Sequence, residues 1–214
     1  MKKAGFLLFV LLIFAMPSQC LRIDGRFWDW VSLDASQCKA YECKPKILLK
    51  DRSGLELQKV KIALGSKYLY VMLEGRSVTG QKRDSGQGFH RTSVRISFSS
   101  AQSPLNRVRV LADPQYPSEI KLSMPGKDTV AMGSVSERFW ASGRASGKYA
   151  FEVKVPIFRT SNGIHIGSKQ GPLVKLDEGT SGRKRLTDVL INTVDTETHH
   201  LVSTAGFAIK PGDL

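Results

Sequence analysis

Side chains that alternate between apolar and polar at every second position can bury one face of a strand, and they cannot form the stripe of an amphipathic helix. This chain shows that alternation in four places. Val60, Ile62 and Leu64 alternate with Lys59, Lys61 and Ala63, and Val94, Ile96 and Phe98 alternate with Ser93, Arg95 and Ser97. Ile120, Leu122 and Met124 alternate with Lys121 and Ser123, and Phe151, Val153, Val155 and Ile157 alternate with Glu152, Lys154 and Pro156. Tyr68 to Leu73 is apolar throughout, the pattern of a central strand covered on both faces. Val108 to Leu111, Val189 to Ile191 and Phe207 to Ile209 are shorter candidates. Turn formers separate the runs at Asp51 to Gly54, Gly65-Ser66, Pro125-Gly126 and Asn162-Gly163. No segment sustains a helical period, and the best helical turn spans Trp28 to Leu33. Short strands at this spacing predict an all-β chain of two antiparallel sheets, a β-sandwich of jelly-roll or immunoglobulin-like architecture. Gly75 to Arg91 and Ser134 to Lys148 read as long loops, where a rigid sandwich tends to carry its binding groups.

The length of 214 residues and an apolar content of 41% suit one such domain. Its expected bounds are 21–214, because residues 1–20 read as a signal peptide. Lys2 and Lys3 precede an apolar run of 13 residues, Ala4 to Met16, which Pro17 and Ser18 then break. That run is too short for a spanning helix. The expected product is exported: periplasmic, cell-surface or secreted. Cys20 leaves two routes open, cleavage beside it to give a soluble product or lipidation of its thiol, and only the second attaches the chain to a membrane. In an oxidising compartment Cys38 and Cys43, which enclose four residues in a turn-like segment, are expected to form a disulfide.

The net charge is +13, and because residues 1–20 hold two lysines and no acids, the remainder keeps +11. Such a chain attracts anionic partners; export disfavours nucleic acid and leaves acidic glycans, phosphate-bearing envelope polymers and lipid headgroups. Lys59, Lys61, Arg95, Arg107, Arg109 and Lys121 hold outward positions on the candidate strands. They form one cationic surface if those strands share a sheet, and dispersed solvated charges if they do not. Arginine grips carboxylate, sulfate or phosphate in a bidentate fork. No distinctive carboxylate pair, Gly-x-Ser-x-Gly elbow, His-Glu-x-x-His helix or phosphate-binding loop occurs, so no catalytic residue is assigned. His90, His165, His199 and His200 have no ligand spacing and no Cys-x-x-Cys-His motif, so no metal or cofactor is expected.

Three motifs in order carry a family resemblance. The chain after residue 20 opens Ile23-Asp24-Gly25-Arg26-Phe27-Trp28-Asp29-Trp30. A hairpin follows, Val60-Lys61-Ile62-Ala63 and then Tyr68-Leu69-Tyr70-Val71-Met72-Leu73. A later strand reads Tyr149-Ala150-Phe151-Glu152-Val153-Lys154-Val155-Pro156. This order resembles the family 9 carbohydrate-binding modules over Leu21 to Pro156, with a weaker continuation to Lys210. The family's Asp-x-Val-Glu-Ile-x-Leu-Asp strand here reads Thr92-Ser93-Val94-Arg95-Ile96-Ser97-Phe98-Ser99, with serine, threonine and arginine in place of the acids. The resemblance implies a noncatalytic carbohydrate-binding protein, and the basic departures direct it toward an acidic or phosphate-bearing glycan of the envelope. The alternative is an envelope structural or adhesion protein with a protein partner. Trp140 is the expected aromatic plate, between Arg138 and Arg144. Arg95, Arg109, Lys61 and Trp28 complete the expected ligand-binding set, and Tyr116 is a weaker aromatic. Trp28 and Trp30, two residues apart, share a face if that segment is extended.

Overall fold

The computed structural model describes residues 21–34, 37–43, 46–47, 54–78, 92–100, 103–145, 148–175 and 187–209. The signal peptide expected over residues 1–20, His90, and residues 79–91 of the first expected loop lie outside them. The described residues form one short helix, α1 (Trp28–Val31), and fourteen strands. The first seven strands are β1 (Lys39–Glu42), β2 (Lys46–Ile47), β3 (Gly54–Leu64), β4 (Tyr68–Val78), β5 (Thr92–Ser100), β6 (Ser103–Ala112) and β7 (Ile120–Met124). The others are β8 (Lys127–Met132), β9 (Trp140–Ala145), β10 (Lys148–Thr160), β11 (Gly163–Gly167), β12 (Leu173–Lys175), β13 (Thr187–Asp195) and β14 (Leu201–Ile209).

These strands build two antiparallel seven-stranded sheets. The first runs β1-β3-β4-β10-β11-β12, with β9 also paired to β10, and the second runs β2-β14-β13-β5-β6-β7-β8. Each period-two segment sends its apolar set inward. Val60 and Ile62, Val94, Ile96 and Phe98, Ile120 and Leu122, and Phe151, Val153 and Val155 are all buried in one core between the sheets. Each such side chain contributes roughly 1.5–3 kcal/mol on burial. Two hydrogen bonds cross between the sheets within that core. Thr193 Oγ1 donates to the Leu55 carbonyl at 2.6 Å, and Ser203 Oγ accepts from Leu57 N–H at 3.2 Å.

The first sheet is also covered on its outer face. Leu21, Ile23, Phe27 and Trp30 pack there over Ala63, Tyr70, Met72 and Ala150, which is why Tyr68 to Leu73 is apolar at every position. Gly25 (φ +79°) lies against β9, where a Cβ would stand 2.8 Å from the Ser142 carbonyl oxygen. Glycine is the residue that tolerates both that conformation and that approach.

Several local expectations are corrected. Residues 39–42 are strand rather than turn, paired with Lys59 to Ile62 of β3. Cys38 and Cys43 are therefore five residue steps apart along extended chain, about 17 Å, and an odd number of steps sends them to opposite faces. A disulfide needs Cα atoms within about 7 Å, and both thiols are free. The second expected loop, residues 134–148, contains β9. Strand β10 runs through Pro156, which pairs with Tyr68 at the end of the β4 register, and continues to Thr160 beside β11. Trp28 and Trp30 do not share a face: two residues of helix rotate the chain by more than half a turn, leaving Trp28 78% exposed and Trp30 at 1%.

Candidate functional site

The outer face of the second sheet carries the most distinctive chemistry. Alternation that buries Val94, Ile96 and Phe98 turns Arg95, Ser97 and Ser99 outward on β5, and the same rule turns out Arg107, Arg109 and Leu111 on β6 and Lys121 on β7. Register places them in cross-strand rows. Asn192, Arg95, Leu111 and Lys121 form one row, Leu190, Ser97 and Arg109 the next, and Asp188, Ser99 and Arg107 the third. Four cations thus share one surface across three neighbouring strands, about 4.8 Å apart. None of the three arginines forms an ion pair among the described residues. Arg107 Nε is buried with no acceptor among the described residues. Lys121 Nζ lies 3.4 Å from the ring centroid of Tyr116, a cation–π contact at the rim of the face.

The first sheet is the contrast. There Lys59 pairs with Glu42 (3.2 Å), Lys61 with Glu74 (3.6 Å), Arg76 with Glu56 (2.6 Å) and Lys154 with Glu137 (2.9 Å). Lys154 also sits 4.6 Å from the ring centroids of Tyr68 and Phe139, and Tyr68 Oη donates to Glu137 at 2.8 Å. Hydrogen bonds from Lys154 and Tyr68 hold the Glu137 carboxyl below its ordinary value, while burial and Glu137 push the Tyr68 hydroxyl up to about 12. Each of these four cations is neutralised by a neighbouring acid.

The expected ligand set is therefore divided. Arg95 and Arg109 come together, joined by Arg107 and Lys121. Lys61 is on the opposite sheet, neutralised by Glu74. Trp140 is in the core: its ring stacks on Phe151 (5.4 Å, 19°), and its Nε1–H donates to the Tyr116 carbonyl at 3.1 Å. A stacked, buried indole does not present a plate to a sugar. Arg138 is exposed in the chain before β9, and Arg144 stacks on Tyr149 at the far end of that strand (4.9 Å). Trp28 is exposed on α1, over the first sheet, and Tyr116, 42% exposed, is the aromatic that borders the cationic face.

Among the described carboxylates Glu152 is strongly perturbed, fully buried beneath residues 21–34. One carboxylate oxygen accepts the backbone N–H groups of Asp24 (2.7 Å) and Gly25 (2.6 Å), and the other accepts Trp30 Nε1–H (3.1 Å). Burial pushes its carboxyl up to about 7 despite these donors. It anchors the opening motif to β10, joining Asp24-Gly25 and Trp30 to a residue more than 120 positions away in the chain. Among the described residues no cluster of His, Cys, Asp or Glu could hold a metal ion.

No family model matches the chain, and no curated protein matches it. Among solved structures, a family 9 carbohydrate-binding module from Caldicellulosiruptor kristjanssonii in complex with cellotriose is similar to it. The two are 14% identical, the match covers 87% of this chain and 78% of that one, and the TM-score is 0.36.

Proposed function

We propose that this protein is an exported, noncatalytic carbohydrate-binding protein whose ligand is an acidic or phosphate-bearing glycan, held on the outer face of the second sheet. One observation carries the reading: Arg95, Arg107, Arg109 and Lys121 share an open surface with no carboxylate paired to the arginines among the described residues. Lys59, Lys61, Arg76 and Lys154 on the first sheet are each paired with an acid within the fold. Cations kept apart from acids remain available to an external anion, and guanidinium groups match the geometry of carboxylate, sulfate and phosphate. The family 9 motifs support a polysaccharide as the carrier of those anions. Tyr116, Ser97, Ser99 and Asn192 add the polar and aromatic surface that sugar rings use.

A chain of this net charge adsorbs weakly to any polyanion, so the test compares equal charge removed from two places. Arg95, Arg107 and Arg109 are changed together to glutamine in one variant; Arg26, Lys148 and Lys175, exposed elsewhere, are changed together in another. Electrophoresis through gels containing polygalacturonate, dextran sulfate or neutral dextran reads the result. Retardation by the acidic gels, lost in the first variant, kept in the second and reduced by salt, is expected. Equal loss in both variants reduces the face to nonspecific charge.

A further inference from the structure

The outer face of the second sheet is not flat. After Arg95, the outward residues of β5 are Ser97 and Ser99, both half-buried in spite of standing on an open face. At the same levels the two neighbouring strands carry longer side chains: Asp188, Leu190 and Asn192 on β13, and Arg107, Arg109 and Leu111 on β6. Small residues flanked level by level by long ones are the floor of a trough running along β5. Its walls rise from strands two spacings apart, about 10 Å between backbones, and Arg95 closes one end.

The two walls differ in chemistry. The β6 wall offers guanidinium groups: Arg109 is exposed and Arg107 half-buried, and neither forms an ion pair among the described residues. The β13 wall places Leu190, 42% exposed, between a carboxylate and an amide. Asp188 repels anions, yet with Asn192 it offers acceptors and donors suited to hydroxyls. Leu190 offers apolar surface to the C–H face of a ring.

Resting on the reading of this face as a glycan site, we infer that one polysaccharide chain lies along β5 with its anionic edge toward β6 and its hydroxyl edge toward β13. The ligand class this selects is an acidic polysaccharide that carries its anions on one edge and free hydroxyls on the other. A polymer with charge alone satisfies one wall and leaves Asp188 facing an anion.

Calorimetry of the exported protein with polygalacturonate oligomers, and with polyacrylate of matched charge, tests this. Ser97→Phe fills the floor without altering charge, and an aromatic residue suits a strand surface; Leu190→Ala trims the opposite wall. Each is expected to weaken polygalacturonate binding about tenfold while leaving polyacrylate within about twofold, whereas the paired change Arg107→Gln and Arg109→Gln weakens both. Circular dichroism confirms that each variant is folded, and Leu190→Ala carries the test if Ser97→Phe is not. Unchanged polygalacturonate binding in a folded Ser97→Phe or Leu190→Ala protein, with loss in the arginine variant, overturns the trough and leaves the cationic face standing. No binding of any acidic polysaccharide by the unaltered protein overturns the glycan reading itself.

Discussion

Glu152 shows how one buried carboxylate sets both order and pH response. Its two oxygens satisfy three N–H donors of residues 24–30, so replacing it leaves buried donors unmet at about 1–3 kcal/mol each. Glu152→Gln, which puts an amide N–H where an acceptor is needed, is expected to lower stability by roughly 2–4 kcal/mol. Burial holds the carboxyl at about 7, above its ordinary 4.5, and Asp29 adds repulsion in the same direction. A folded state that binds its proton more tightly than the unfolded chain has that stability in full below pH about 4.5, and loses it as pH rises through about 7. Denaturant titrations from pH 4 to 8, compared between the wild type and Glu152→Gln, check this: the decline across that window should be present in the first and flattened in the second.

The same segment separates two tryptophans that read alike in sequence. Trp30→Ala removes a fully buried ring and is expected to cost about 3–5 kcal/mol, whereas Trp28→Ala should stay within about 0.5 kcal/mol. Acrylamide quenching gives an independent check: Trp28 is the quenched tryptophan, and Trp28→Phe should remove most of the quenchable emission.

Strand β1 is the element that most changes the chemistry expected of this chain. Because residues 39–42 pair with β3, Cys38 packs under the N-terminal segment and Cys43 against the inter-sheet core. Burial pushes both thiols up, Cys43 to about 11, so neither is a ready nucleophile at neutral pH. The protein exposed to mild oxidant should retain both thiols, counted by alkylation after denaturation, and the double change to serine should leave the melting temperature nearly unaltered. A mass lower by two hydrogens in the 38–43 peptide contradicts this.

Elements differed in how plainly the sequence marked them. Strands β3, β5, β7 and β10 carry the period of two that burial of one face in the core imposes, and β4, covered on both faces, is apolar from Tyr68 to Leu73. The strip Lys127 to Met132 of β8 is an edge with mostly exposed side chains, and β1, β11 and β12 are short, so no burial pattern announced them. Trp140 was misplaced for a related reason: β9 is small and glycine-bearing, and its inward residues show themselves only through Phe151 of the adjoining strand. The arginines were found because they interrupt apolar runs at alternate positions. That Lys61 belongs to the other sheet was not visible, since strand order is a property of long-range pairing and not of local pattern.

Across the molecule, the two outer faces divide the work. Among the described residues, one is covered by residues 21–34 and holds four ion pairs; on the other, Arg95, Arg107 and Arg109 form no ion pair. This asymmetry predicts that affinity for acidic glycans falls steeply with ionic strength, because exposed cations on one face make the contact. It also predicts that the unfolding midpoint is raised by an acidic glycan and left unchanged by a neutral one, since ligands that bind only the folded state stabilise it.

Amide chemical-shift mapping during titration with polygalacturonate oligomers addresses the open face most directly. Shifts concentrated on β5, β6 and β13, saturating together and absent with neutral oligomers, are expected. Shifts that gather instead around α1 and the first sheet, or that scatter over every basic surface without saturating, contradict it.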